Sequence, residues 1–178
     1  GGALSVQSGT SISNILKVAN AAGAGVLSIA PGGSVSTGYL QMGLSSSASG
    51  AVINQGTLVI LYSGPANSGV FDVGNGTGFG YYRQDTPTPV STPNLNIGGI
   101  SGGNGVLDLV SGSFAVTTTL FVGRANGLNQ SAQLNVFGGT FGLPGSTGSN
   151  MFYYAGNKGT QVMNIFSGGV VSGGASTV

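Results

Sequence analysis

Seven side chains of this 178-residue chain carry charge at neutral pH: Asp72, Asp85 and Asp108, and Lys17, Arg83, Arg124 and Lys158. Histidine and cysteine are absent. No Ser-His-Asp or Cys-His nucleophile can therefore be assembled, and no thiolate can hold a metal. A pair of carboxylates could still act on a glycosidic bond. Asp72 and Asp108, however, fall in different strand motifs, and Asp85 lies in a proline-rich stretch. Three acids are also too few for the regular aspartates of a calcium-binding repeat. The sequence thus predicts no catalytic residue, no metal ligand and no cofactor. "GNGTGFG" (74–80) looks like a dinucleotide fingerprint, but Tyr81, Tyr82 and then prolines follow where a helix N-terminus would have to meet the pyrophosphate. It reads as a turn. Asn75-Gly-Thr77 and Asn129-Gln-Ser131 fit the N-glycosylation pattern, which polar turns of this composition generate by chance. The basic residues read as solvated, with Lys17, Arg124 and Lys158 near one recurrent corner.

The surrounding composition is equally pointed. Charged residues make up 4% of the chain, against about 25% in ordinary soluble domains, and there are 36 glycines. With 40% hydrophobic residues the chain is not a solvated disordered segment. A net charge of +1 gives no attraction for nucleic acid or an anionic bilayer. No apolar run approaches the ~18 residues of a membrane helix, so neither nucleic acid nor membrane insertion is expected.

Elements that could position these residues emerge from a repeat. The pattern apolar-x-apolar-x-x-Gly starts at Leu4, Leu27, Ala51, Leu107, Leu134 and Met163. Its second apolar positions are Val6, Ile29, Ile53, Leu109, Val136 and Ile165, and its glycines are Gly9, Gly32, Gly56, Gly112, Gly139 and Gly168. The first residues stand 23, 24, 56, 27 and 29 apart, so one interval is doubled. Spacing of two is the strand signature, and glycine supplies the positive φ of a turn. The two apolar sets should form two internal ladders, with the residue between them facing out.

A second motif falls between copies of the first: Leu16/Val18, Leu40/Met42, Phe71/Val73, Leu95/Ile97, Leu120/Val122 and, more loosely, Tyr153/Ala155. Asparagines often follow, at Asn20, Asn75, Asn126 and Asn157, and asparagine tolerates left-handed turns and stacks in ladders. Residues 12–22 could form a helix but fit the strand pattern better. Two or three short strands per turn of roughly 25 residues, with glycine corners, describe an all-β, parallel β-solenoid (β-helix) of about six or seven coils. At about 4.8 Å per strand it would be a rod some 30 Å long. A β-sandwich of similar strand count needs no fixed period and is the weaker reading.

The segments "GVLSIAPGGSVSTGYLQMG" and "AQLNVFGGTFG" resemble the β-strand repeats of autotransporter passengers and PEP-CTERM surface proteins of Gram-negative bacteria. The resemblance covers most of the chain outside 77–93. It implies a secreted or surface-displayed solenoid, extracellular and bacterial, with structural, adhesive or matrix roles and no catalytic residues. The sorting helix or membrane barrel that accompanies such repeats is not present in this sequence.

Residues 79–93, "FGYYRQDTPTPVSTP", break the composition with three of the six prolines. Proline cannot donate to a strand ladder, so the segment reads as an insertion loop extruded from a single domain spanning 1–178. Tyr81, Tyr82, Arg83 and Asp85 would make it a contact loop, with a surface polysaccharide as the partner. Leu4 and Val6 at one end, and Val170 and Val171 at the other, are read as open assembly edges. Unpaired strand edges template pairing with another chain, and a head-to-tail contact that does not close makes a filament. The expectation is a structural subunit that polymerises with itself, with an adhesin using 79–93 as the alternative. The lone Thr117-Thr118-Thr119 run is too little for a flat ice-binding array.

Overall fold

The computed structural model describes residues 1–61, 71–99, 101–123, 130–143, 152–153 and 159–173. The chain passes alternately between two parallel sheets, and no helix occurs among the described residues. It begins with β1 (Gly2–Val6), β2 (Thr10–Val18), β3 (Gly23–Ile29) and β4 (Ser34–Met42). Then come β5 (Ala48–Asn54), β6 (Thr57–Ile60), β7 (Phe71–Val73), β8 (Phe79–Asp85) and β9 (Val90–Ile97). β10 (Asn104–Ser111), β11 (Ser113–Val122), β12 (Gln130–Val136), β13 (Gly139–Leu143) and β14 (Phe152–Tyr153) follow, and β15 (Gly159–Ile165) and β16 (Gly169–Gly173) close the described chain. The first sheet is ordered β1-β3-β5-β8-β10-β12-β15 and the second β16-β13-β11-β9-β7-β4-β2. β6 and β14 pair alongside β4 and β11. This is a β-solenoid. Five strands of the first sheet have neighbours on both sides, giving about five turns flanked above and below, so the expected six or seven coils is slightly high. Residues 12–22 contain the end of strand β2, not a helix.

Register decides what faces inward, because a slip of one residue exchanges the two faces of a strand. Leu4, Leu27, Val52, Tyr82, Leu107, Leu134 and Met163 are direct partners across the first sheet. Val6, Ile29, Asn54, Gln84, Leu109, Val136 and Ile165 form the ladder beside them. Two expected members are therefore wrong. Ala51 and Ile53 pair with Val26 and Ser28 on the outer face, and Val52 and Asn54 take the inner positions. The cause is a shorter corner. Four residues separate β3 from β4, but only Gln55 and Gly56 separate β5 from β6. The corner is closed by Asn54 Oδ1, which accepts the Gly56 N–H at 3.2 Å. Gly9, Gly32, Gly112, Gly139 and Gly168 have φ between 76° and 94°, and Gly56 is not among the positive-φ residues.

The second motif maps onto the second sheet. Leu16, Leu40, Phe71, Leu95 and Leu120 are register partners, as are Val18, Met42, Val73, Ile97 and Val122. In the following copy Phe152, not Tyr153, stands opposite Leu120, and Ala155 lies outside the described residues. The position after this ladder is left-handed throughout: Ala19 (φ 61°), Gly43 (65°), Gly74 (80°), Gly98 (75°) and Gly123 (76°).

Between the sheets lies one core running along the solenoid axis. Leu27, Ile29, Leu40, Met42, Ile97, Leu107, Leu109 and Leu134 are each at most 2% exposed. Each such aliphatic side chain contributes about 1.5–3 kcal/mol through burial. Midway, four aromatic rings fill the section. Phe71 meets Tyr82 and Phe114 edge-on at 4.8 and 5.3 Å, and Phe114 stacks on its strand neighbour Phe141 at 5.8 Å.

The expected loop at 79–93 is not there. Phe79–Asp85 is β8, an interior strand paired to β5 on one side and β10 on the other. Its inward residues are Gly80, Tyr82 and Gln84, so the strand carries no apolar alternation to read. Pro87 and Pro89 occupy the corner before β9. Pro93 sits within β9 where the ladder to β11 is already interrupted: Thr92 pairs with Val116 and Asn94 with Thr119. A strand tolerates proline at such an irregularity. β4 pairs with two strands on one side: Ser34–Thr37 face β6, and Leu40–Met42 face β7.

Candidate functional site

The outer face of the first sheet collects the polar chemistry. Asp108 lies between the inward Leu107 and Leu109, so its carboxylate points outward. Asn135 and Asn164 occupy the same position in β12 and β15. Tyr81 Oη donates to Asp108 Oδ2 at 2.8 Å, Asn135 Nδ2 donates to Asp108 Oδ1 at 2.7 Å, and Asn164 Nδ2 donates to Asn135 Oδ1 at 2.8 Å. The result is a stripe of hydrogen bonds crossing four strands. The Tyr81 phenol is held above its ordinary acidity range, first by partial burial and then by its hydrogen bond to Asp108.

Arg83 and Asp85, two apart on the outer face of β8, form an ion pair at 3.1 Å with side chains 38% and 31% exposed. The contact with Asp85 raises the guanidinium pKa. An exposed pair of this kind contributes about 0–1 kcal/mol. Tyr82, expected beside them in the contact loop, is instead completely buried. Its hydroxyl accepts from Asn54 Nδ2 at 3.2 Å and donates to Gln84 Oε1 at 3.4 Å. Gln84 Nε2 in turn donates to the carbonyls of Thr88 and Ser113. Burial raises the pKa of the Tyr82 phenol strongly.

Asp72 is on the other sheet, in β7. It is 4% exposed, and its carboxylate accepts three amide donors: Asn75 Nδ2 at 2.6 Å, Gln41 Nε2 at 3.1 Å and Asn96 Nδ2. Gln41 and Asn96 are its neighbours in the adjoining strands, so this aspartate stitches three turns together. The three acids are thus distributed over both sheets, as the strand motifs implied, and Asp85 stands opposite Ser111, not Asp108. No group of three metal-ligating residues occurs among the described residues. The turn 74–80 leads into β8 rather than a helix. Lys17 is exposed on β2, while Arg124, Lys158, Asn126, Asn129 and Asn157 lie outside the described residues.

The two ends of the solenoid differ from its middle. Among the described residues, β1 and β2 each have one paired side, as do β15 and β16 at the opposite end. Leu4 (54% exposed) and Ile15 (47%) lie at one end, and Ile165 (54%) and Val170 (51%) at the other. Val6 and Val171 are partly buried against the core. A cavity of about 420 Å³ indents the β1–β2 end, lined by Leu4, Leu16, Val18 and Leu27 with Lys17 beside them.

The sequence reading missed the polar stripe although its signal was present. Asp108, Asn135 and Asn164 are the middle residues of Leu107-x-Leu109, Leu134-x-Val136 and Met163-x-Ile165. Aligning the repeats on their apolar positions superposes these three. No protein-family model, curated protein or solved structure matches the chain. No helix among the described residues is long and apolar enough to cross a membrane.

Proposed function

We propose that this protein is a non-enzymatic structural building block of an extracellular bacterial fibre or surface layer, and that copies join end to end through the open edges of the solenoid. The observation that carries the reading is the coincidence, among the described residues, of strands paired on one side only with exposed apolar side chains at both ends, Leu4 against Ile165 and Val170. Each edge offers a row of backbone donors and acceptors beside apolar surface. A further parallel coil satisfies both at once. The 4% charge content leaves little electrostatic repulsion between copies. A structural role is supported by the engagement of Asp72 with three amides and by the absence of histidine and cysteine from the sequence.

Electron microscopy and sedimentation of the purified chain test this reading. Filaments one solenoid wide are expected, lengthening with concentration. A monomer at high concentration with both ends ordered overturns it. Intact mass of the native polypeptide separates a polymerising subunit of about 17 kDa from a segment of a longer solenoid.

The stripe of Tyr81, Asp108, Asn135 and Asn164 favours a second reading, an adhesin that binds surface polysaccharide. Hydroxyl, carboxylate and amide groups in a row suit a polyhydroxylated chain. The contact surface is then a sheet face and not an extruded loop. Loss of polysaccharide retention by a Tyr81→Ala/Asn164→Ala variant that still assembles would support it.

A further inference from the structure

The end-to-end contact has a defined register, and the repeats themselves specify it. This inference rests on the assembly reading above and goes beyond it by naming the residues that meet. We infer that β15 of one copy lies beside β1 of the next, parallel, with Met163 opposite Leu4, Asn164 opposite Ser5 and Ile165 opposite Val6. Three observations converge on that register.

First, both strands belong to the same ladders. Met163 and Leu4 are the last and first members of one inward row, and Ile165 and Val6 of the other. Gly168 and Gly9 follow at the same offset, with φ of 94° and 78°, so the two corners turn together. A slip of one residue would set the inward Leu4 and Val6 against outer-row residues of β15 such as Asn164, and break both ladders at the junction.

Second, the outer stripe is directional. Each asparagine donates its Nδ2 toward the β10 side: Asn164 to Asn135, and Asn135 to Asp108. The row starts from a carboxylate, which only accepts, and ends on the last strand with Asn164, whose Oδ1 is an acceptor. Ser5 carries a hydroxyl that can donate to it, and Ser28 continues the row beyond Ser5. A contact between two like ends would reverse the direction of the row at the junction.

Third, the cavity beside β1 and β2 is walled by Leu4, Leu16 and Leu27, and the strand approaching in this register brings Met163, an unbranched side chain that fills irregular apolar gaps. On the adjoining corner Phe166 already stacks on Phe137 at 4.5 Å and is 45% exposed, so its outer face meets Gln7 of the next copy.

The cysteine-free sequence allows a direct test. Full-length Ser5→Cys and Asn164→Cys proteins are mixed under assembling conditions and oxidised. Neighbouring strands lie about 4.8 Å apart, within the roughly 4.4–6.8 Å Cα separation a disulfide requires. A two-residue slip puts the pair beyond the ~7 Å limit. The mixture should give a covalent dimer containing one copy of each variant. Ser5→Cys alone should give none, and Ala3→Cys mixed with Asn164→Cys should give none. Filaments that cross-link through the Ala3 pair, through Ser5→Cys alone, or through no pair overturn the register while leaving end-to-end assembly standing. Protein that remains monomeric by sedimentation overturns both.

Discussion

Asn54 donates its side-chain amide to the hydroxyl of Tyr82 at 3.2 Å, at a point where both residues are completely buried inside the solenoid. The bond joins adjacent turns of the first sheet. With Gln84 it forms a polar plug in a ladder that is otherwise Val6, Ile29, Leu109, Val136 and Ile165. Buried polar groups are costly unless every one is satisfied, and a satisfied set disfavours other registers. Here Gly56 N–H, Thr88 O and Ser113 O complete the set.

Tyr82→Phe keeps the ring contacts with Phe71 and Phe114 and removes only the hydroxyl. Asn54 Nδ2 and Gln84 Oε1 then lose a buried partner. The expected loss is about 1–3 kcal/mol, read as a lower denaturation midpoint in urea with an unchanged slope.

The same residue sets the alkaline limit. Burial raises the Tyr82 pKa above its ordinary value of about 10. On unfolding the phenol is free to ionise near pH 10. In the fold it stays protonated, so the unfolded chain binds fewer protons and stability falls as pH rises above about 10. Tyr81 shifts in the same direction and adds to the fall. Unfolding midpoints measured from pH 8 to 12 should decline more gently in Tyr82→Phe than in the parent. Parallel curves would show that Tyr82 is not buried as a neutral phenol.

The left-handed corner row makes opposite predictions at two of its members. A Cβ on Gly74 would lie 2.0 Å from the Asn104 carbonyl oxygen, at φ 80°. Gly74→Ala is expected to cost about 3 kcal/mol or more, or to prevent folding. Ala19 occupies the equivalent position at φ 61°, where a side chain is strained. Ala19→Gly should therefore raise stability by about 1 kcal/mol. Thermal melts of both variants check the pair, and a loss at Ala19→Gly would contradict the left-handed corner.

Asp72 is predicted to be structural. Asp72→Ala strands the amides of Gln41, Asn75 and Asn96 and should destabilise by about 1.5–3 kcal/mol, the range for hydrogen bonds to a charged group. Asp108→Ala, on a half-exposed stripe, should cost less. Equal losses in chemical denaturation would show that the two carboxylates do not differ as their burial implies.

Much of the fold was legible because its determinants are local. A spacing of two between apolar residues places both on one face of a strand wherever the strand is. Leu107/Leu109, Leu134/Val136 and Leu95/Ile97 were readable for that reason, and so were the glycines at corners that require positive φ. The repeat of those motifs specified parallel stacking, since each coil alone cannot bury its apolar face.

Tertiary structure decided the rest through partners distant in sequence. Nothing near Tyr82 or Gln84 marks them as interior; they are tolerated there because Asn54, 28 residues before Tyr82, and Ser113, 29 after Gln84, complete their hydrogen bonds. Three prolines made 79–93 look like a loop, but two fall in a corner and Pro93 falls at a gap in the ladder made by β11. The shortened corner at Gln55 and Gly56 moved Ala51 and Ile53 outward by a single residue. A sequence can state which alternations are possible. Whether a polar residue may stand in the core, or a proline in a strand, depends on what the neighbouring coil presents to it.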